Sequence, residues 1–376
     1  MRPHSICLAV AALALAAVAA PVDAAESSAP AAEAARRQSA KTLDAASRGS
    51  IVDTLARKLV DRYVFPDVAK RMADDLRAKL AGGAFDAVSD PKVFAAMLTD
   101  AMRAISRDKH IRVAFRDEPV PEEPAPGAKP DAAADAAFRA RAESFGRATN
   151  YGFEKVERLE GNVAYLELRG FQDADLGRAT AAAAMNMVAN AEALIVDLRR
   201  NGGGEPAMVA FVSSYLFDGE RVHLNDLYWR ADDRTEEFWT DPAVPGPRFG
   251  GKKPVYVLTG KRTFSGAEEF SYNLKALKRA TIVGETTGGG AHPGDVVRIG
   301  EYFGCFIPTG RAINPITKTN WEGTGVAPDV AVPQENAFDA AYRLALKAVA
   351  DGSANPALRR NAQHKLAELE AAANRK

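Results

Sequence analysis

The sequence predicts an α/β protein with a helical front and a body in which strands and helices alternate. Two observations carry this. Between Gly49 and about Ile105 the apolar residues recur at helical spacing. From Asn162 onward, short apolar runs alternate with amphipathic segments, the pattern of a sheet covered by helices.

In the front part, Ile51, Leu55, Leu59 and Val60 form one helical stripe, and Val68, Met72, Leu76 and Leu80 a second. Asp90-Pro91, a cap followed by a first-turn proline, opens a third with Phe94, Met97, Leu98, Met102 and Ile105. Three short helices of this kind pack as a small bundle. Asp108 to Phe115 then alternates like a strand. Residues 116 to about 146 are rich in Pro, Ala and acid, without an apolar period, and read as a linker or long surface loop.

In the body, strands are expected at Asn162–Leu168, Ala193–Leu198, Val222–Arg230, Pro254–Thr259, Thr281–Val283, Val296–Pro308 and Val326–Val332. Helices are expected at Asp175–Ala191, Pro206–Phe217, 265–279, Ala337–Ala350 and Pro356–Ala372. The run Ala193–Leu198 is apolar but for Asp197, as a strand buried on both faces should be.

Lysine plus arginine balance aspartate plus glutamate at 49 each, so there is no basic footprint for nucleic acid. Arg2, the apolar run Ile6–Ala20 and the small residues Val22-Asp-Ala24 read as a secretory signal cleaved near Ala24. The mature chain then carries no membrane span and is expected to be exported, periplasmic or secreted. Cys7 lies in the signal, which leaves Cys305 alone, with no internal disulfide and no cysteine-built metal site.

Two strand-to-helix junctions carry unusual residues. In Asp197-Leu-Arg-Arg-Asn-Gly-Gly-Gly204, three glycines between a buried strand and a helix let backbone N–H groups approach an anion. Neither nucleotide fingerprint fits the spacing. In Leu258-Thr-Gly-Lys-Arg-Thr-Phe-Ser-Gly-Ala-Glu-Glu-Phe270, Ser265 stands where a helix begins, beside N–H groups with no intrahelical partner. Ser265 and Glu268 also form a capping box, which by itself only starts a helix. A nucleophilic serine needs a base. The mature chain offers His110, His223, His292 and His364, of which His110 and His292 stand beside turn residues.

Three of these segments together, Asp197–Gly204, Thr263–Phe270 and Ile282–His292, closely resemble the S41 family of serine peptidases. Trp321-Glu-Gly-Thr-Gly-Val-Ala-Pro-Asp329 resembles its closing motif. Tyr63-Val-Phe-Pro66 and Asp108-Lys-His110 are similar to the helical domain of its retinoid-binding-protein-like branch. The resemblance implies a crotonase-like α/β catalytic core preceded by a small N-terminal helical bundle. It implies Ser265 as nucleophile and the N–H groups of Gly203 and Gly266 as oxyanion hole. The lysine of the processing peptidases would fall at Gly290, so the tricorn-like set is implied instead. In that set His110 is the base and Glu322 the orienting carboxylate, with His292 as the alternative base. No cofactor or metal is expected.

The implied activity is serine endopeptidase or processing peptidase, acting on short or unfolded peptides. The rival is a hydrophobic-ligand carrier of the same fold. The domain plan is signal 1–24, mobile leader 25–47, helical domain 48–115, linker 116–150, catalytic core 151–335 and C-terminal helices 336–376. Oligomeric state is not readable from the sequence.

Overall fold

The computed structural model describes residues 43–123 and 131–373. The expected signal sequence, its cleavage near Ala24 and most of the leader lie outside the described residues. Two compact units are present. One holds residues 43–123, 229–234 and 292–311, the other residues 131–228, 235–291 and 312–373.

In the first unit, α1 (Ala45–Arg62), α2 (Pro66–Ala81) and α3 (Pro91–Ser106) follow the three apolar stripes. Asp90 caps α3 as its spacing requires, accepting the N–H groups of Lys92 and Val93. Leu55, Leu59, Met72, Leu76, Phe94, Leu98 and Met102 are buried. Each such side chain contributes about 1.5–3 kcal/mol of hydrophobic stabilisation. The helices pack on an antiparallel sheet ordered β1 (Arg112–Phe115), β10 (Phe303–Pro308), β9 (Gly294–Gly300). Phe94 meets Phe85 and Phe303 edge-on. Cys305 is buried in β10, and burial pushes its thiol up, away from any nucleophilic role.

The second unit is built on a six-stranded sheet. Its order is β12 (Val330–Ala331), β8 (Thr281–Gly284), β7 (Val255–Thr259), β4 (Ala193–Asp197), β3 (Val163–Leu168), β2 (Phe153–Leu159). Every neighbouring pair is parallel except the β2–β3 hairpin. Ala193–Val196 of β4 are apolar because both faces of the strand are covered. Leu194 and Val196 pack with side chains of α5 (Ala174–Val188), α6 (Pro206–Ser214) and α7 (Gly266–Ala276), among them Met185, Met208 and Phe270. Ile195, on the opposite face, packs with Leu346 and Val349 of α8 (Ala337–Gly352) and Ala362 of α9 (Pro356–Ala373). A three-stranded sheet is ordered β11 (Gly310–Ile313), β5 (His223–Trp229), β6 (Arg234–Trp239). Among the described residues no helix is long and apolar enough to cross a membrane.

One segment departs from expectation. Residues 132–148, read from the sequence as loop, form α4 (Ala132–Ala148). This helix buries only Gly146, so it has no apolar stripe to betray it. Alanine propensity, the Asp131 cap on the N–H groups of Ala133 and Ala134, and the Glu143–Arg147 pair sustain it instead.

Candidate active site

β4 and β7 are neighbours in the sheet, with Asp197 opposite Leu258, so the loops that leave their carboxyl ends lie side by side. Open α/β sheets place ligands at such ends. The loop after β7 is stitched to the loop after β4. Thr263 Oγ1 donates to Leu198 O at 2.8 Å and accepts the Gly260 N–H at 3.0 Å. Phe264 N–H donates to Asn201 O at 3.1 Å.

Ser265 follows, half-buried, with φ 52° and ψ −123°. A residue with a side chain held in so sparse a region costs roughly 1–3 kcal/mol, and such strain concentrates at functional turns. It sets the serine at a sharp strand-to-helix corner at the start of α7. The Gly266 N–H, first in that helix, has no intrahelical acceptor.

Gly203 presses on this corner. A Cβ there would come within 2.8 Å of Gly266 N, Phe264 O and Ser265 Cβ, and its φ is +110°. Only glycine fits. Its own N–H donates to the Asn201 side-chain carbonyl at 2.8 Å, while the Asn201 amide reaches Leu168 O. The N–H expected to meet an oxyanion therefore already has an acceptor.

Glu268 does more than cap α7. Its buried carboxylate accepts the Ser265 N–H at 2.9 Å, Thr287 Oγ1 at 2.5 Å, the Gly289 N–H at 2.6 Å and the Gly290 N–H at 2.9 Å. Burial pushes the Glu268 carboxyl up even against these donors. Thr287 Oγ1 in turn accepts the Val326 N–H, and Trp321 Nε1 donates to Gly290 O at 2.6 Å. Three separate motifs are thus knotted around one carboxylate. Glu322 joins the knot through Oε2, which accepts the Ala291 N–H at 2.6 Å.

The neighbouring Glu269 is also buried, and burial raises its carboxyl to about 8, with Asn225 opposing the shift. Its folded value lies above the ordinary 4.5. Its stabilising proton is therefore held in full below that value and lost as pH rises toward 8. Glu269→Gln is expected to raise stability at pH 7–8 by on the order of 2–3 kcal/mol, at about 1.4 kcal/mol per unit. The gain should vanish near pH 4. Urea midpoints measured across this range check it.

The two histidines singled out by the sequence lie in the first unit, at the end of α3 and the start of β9. Arg107 takes a left-handed C-cap, and Arg103 binds the carbonyls of Lys109 and Ile111, shaping the loop that holds Asp108 and His110. Asp108 is 1 % exposed. Its Oδ2 meets His292 Nδ1 at 2.7 Å and accepts the Tyr63 hydroxyl at 3.2 Å. Its Oδ1 accepts the His110 N–H at 2.9 Å.

Burial alone would raise the Asp108 carboxyl. The hydrogen bond and charge of His292, with the charge and N–H of His110, outweigh it and hold Asp108 below the usual carboxylate range. Phe65 packs edge-on against His292, and Phe306 stacks on His110. His110 Nδ1 stands 4.0 Å from Asp108 Oδ1, and burial drives its imidazole down to about 4 against the pull of Asp108.

Ser265, Gly203, Gly266 and Glu322 accordingly fall in the second unit, and His110 and His292 in the first. Within the second unit Gly203 and Gly266 are brought against Ser265. His223 is placed elsewhere, stacked on Trp239 and bonded to Asp226, and His364 is exposed on α9.

Residues 162–332 match peptidase family S41, and residues 38–144 match the N-terminal domain of peptidase S41 in eukaryotic IRBP. The chain belongs to peptidase family S41. This S41 chain is 32% identical over 105 residues to the tail-specific protease of Haemophilus influenzae, covering 26% of the chain and 13% of that protein. It is 27% identical over 187 residues to the carboxy-terminal-processing protease of Bartonella bacilliformis, covering 47% of the chain and 40% of that protein. It therefore spans less than half the length of either relative. A solved structure from Parabacteroides merdae shares the fold, with a TM-score of 0.54 at 18% identity over 80% of this chain and 96% of that one.

Two residues of this S41 chain were missed as site residues by sequence reasoning. Asp108 stood inside a quoted motif but had no visible partner, because His292 is 184 positions away. Glu268 was legible as a cap; its hold on residues 287–290 was not.

Proposed function

We propose that the chain is an exported serine endopeptidase or processing peptidase that cleaves unfolded or short peptides through an acyl-enzyme. The observation that carries this is the strained Ser265 corner, wedged between Gly203 and the free-ended start of α7. In this reading Ser265 Oγ attacks the peptide carbonyl as a histidine takes its proton. The Gly266 N–H, aligned with the dipole of α7, meets the oxyanion. Gly203 shares its N–H between the oxyanion and Asn201. Each such donor is typically worth about 2.7–4 kcal/mol in the transition state. The imidazolium protonates the leaving amine, and water repeats the sequence on the acyl-enzyme.

By resemblance the histidine is His110, with His292 the second candidate and Glu322 the carboxylate of the site. The catalytic core is drawn from residues 151–335, crotonase-like in plan, after a helical domain at 48–115, the 116–150 segment and a signal at 1–24. Residues 336–376 close the chain. No cofactor takes part.

A dye-quenched, denatured protein substrate tests the reading. The wild-type chain should release fluorescence and leave new peptide termini, detected by mass spectrometry. Tight binding of a fatty acid or retinoid with no cleavage would replace the peptidase with a carrier.

A further inference from the structure

We propose that Glu269, with Asn225 and Asn273, forms the specificity pocket of the Ser265 site and selects a lysine or arginine on the acyl side of the scissile bond. The inference rests on the peptidase reading of Ser265.

Ser265 begins α7, and Glu269 and Asn273 follow at intervals of four, so the three share one stripe of the helix. Glu269 therefore stands about 6 Å along the axis from the serine. That is within reach of the four-carbon stem of a lysine, or of an arginine, carried by the acylated residue. The other side of the helix, with Ala267, Phe270 and Leu274, faces the apolar core. All these residues lie in the second unit, together with Asn225 of β5 and Asn314 just after β11.

The pocket is polar, buried and incompletely paired. Asn225 and Asn273 are 0% exposed; Glu269 keeps 4%, so it is the member an incoming group meets first. Asn314 holds the floor, donating to Asn273 Oδ1 at 3.1 Å and to Leu224 O at 3.3 Å. Its own Oδ1 accepts the N–H groups of Ile316 and Thr317. Asn273 Nδ2 and both amide atoms of Asn225 have no hydrogen-bond partner among the described residues. Asn225 faces the Glu269 carboxyl closely enough to oppose its upward shift, without completing a hydrogen bond. Buried polar groups are as a rule paired, so open amide atoms around one acid point to a ligand.

A cation completes this set, and a neutral or acidic group does not. Burial is the main influence on Glu269 and raises its carboxyl to about 8, with no lysine or arginine among the described residues acting on it. An ammonium or guanidinium beside it would reverse that shift and gain a charge-assisted hydrogen bond. Asn225 Oδ1 would accept a further N–H, and the amide N–H groups of Asn225 and Asn273 would support the ionised carboxylate. A buried acid selects basic residues in trypsin in the same way. An acidic side chain would meet like charge, and a leucine would leave the carboxyl as it is. The chain carries Glu269 at the cost in stability that Glu269→Gln relieves. Acids retained at such a cost concentrate at functional sites.

Two measurements on the full chain test this. Quenched peptides are compared that differ only in the residue on the acyl side, which is Lys, Arg, Gln or Leu. The wild type should show kcat/KM roughly 10²–10³-fold higher for Lys and Arg than for Leu, the effect of one partner in a buried charge pair. Glu269→Gln should bring that ratio close to unity. Benzamidine, a small planar cation, should raise the thermal midpoint of the wild type and leave that of Glu269→Gln where it is. Equal turnover of the Lys and Leu peptides by the wild type would overturn the proposal without any variant having to fold, and so would a preference that survives Glu269→Gln. If no peptide is cleaved, the peptidase reading falls, and benzamidine still decides the pocket. No shift in the wild type then overturns it, and a shift that Glu269→Gln abolishes upholds it.

Discussion

Ser265→Ala should lower kcat by roughly 10⁴–10⁶-fold, the range seen when a nucleophile that acts as one unit with its base is removed. KM should stay close to wild type, because binding of the rest of the peptide does not use the hydroxyl. The variant should fold normally, since alanine retains the Cβ and inherits the same φ of 52°. Ser265→Gly separates strain from chemistry. Glycine enters that region without steric cost. The variant should be equally inactive yet more stable than wild type by about 1 kcal/mol, the lower end of what a strained residue stores. Peptide turnover and urea midpoints on the two variants give both numbers. An inactive but unchanged Ser265→Gly would mean that the corner is relaxed.

Glu268 is where the largest loss of stability is expected. Glu268→Ala strands the N–H groups of Ser265, Gly289 and Gly290 and the Thr287 hydroxyl in a buried place. Each unsatisfied group costs about 1–3 kcal/mol, less whatever water recovers. A net loss of about 3–5 kcal/mol follows, within the range for breaking a buried network. Activity should fall with it, because the same carboxylate joins the Ser265 backbone to the 287–290 turn. Glu268→Gln retains acceptor capacity on one side only, and its amide points donors at donors, so it should lie between alanine and wild type. Denaturant melts and the rate of Ser265 labelling at a temperature where all three are folded measure the two effects separately.

The elements legible in the sequence were those whose burial leaves a period. Ala193–Val196 of β4 read as an apolar run because residues of α6 and α8 cover opposite faces. α3 was legible from Asp90-Pro91 and its stripe. α4 buries almost nothing and left no period to read. β2 escaped because charged residues fill its exposed positions and only Phe153 is fully buried. The expected strand Val326–Val332 shortens to Val330–Ala331, since Val326 is drawn into the knot by Thr287.

The site divides the same way. Ser265 was readable because a strand end, a corner and a helix start are local in sequence, as are the glycines that crowd it. Apart from the Ser265 N–H, the partners of Glu268 lie 19 to 22 residues downstream of it, and Asp108 meets His292 across 184. Pairings of that length follow from the folded chain alone. A motif can flag the residues but not join them.

The central claim is that Ser265 is a reactive nucleophile, and covalent labelling tests it most directly. A fluorophosphonate probe should modify the wild-type chain once, and peptide mapping should place the adduct on Ser265. Ser265→Ala should take up no label. An adduct on any other residue, or equal labelling of the variant, would contradict the account.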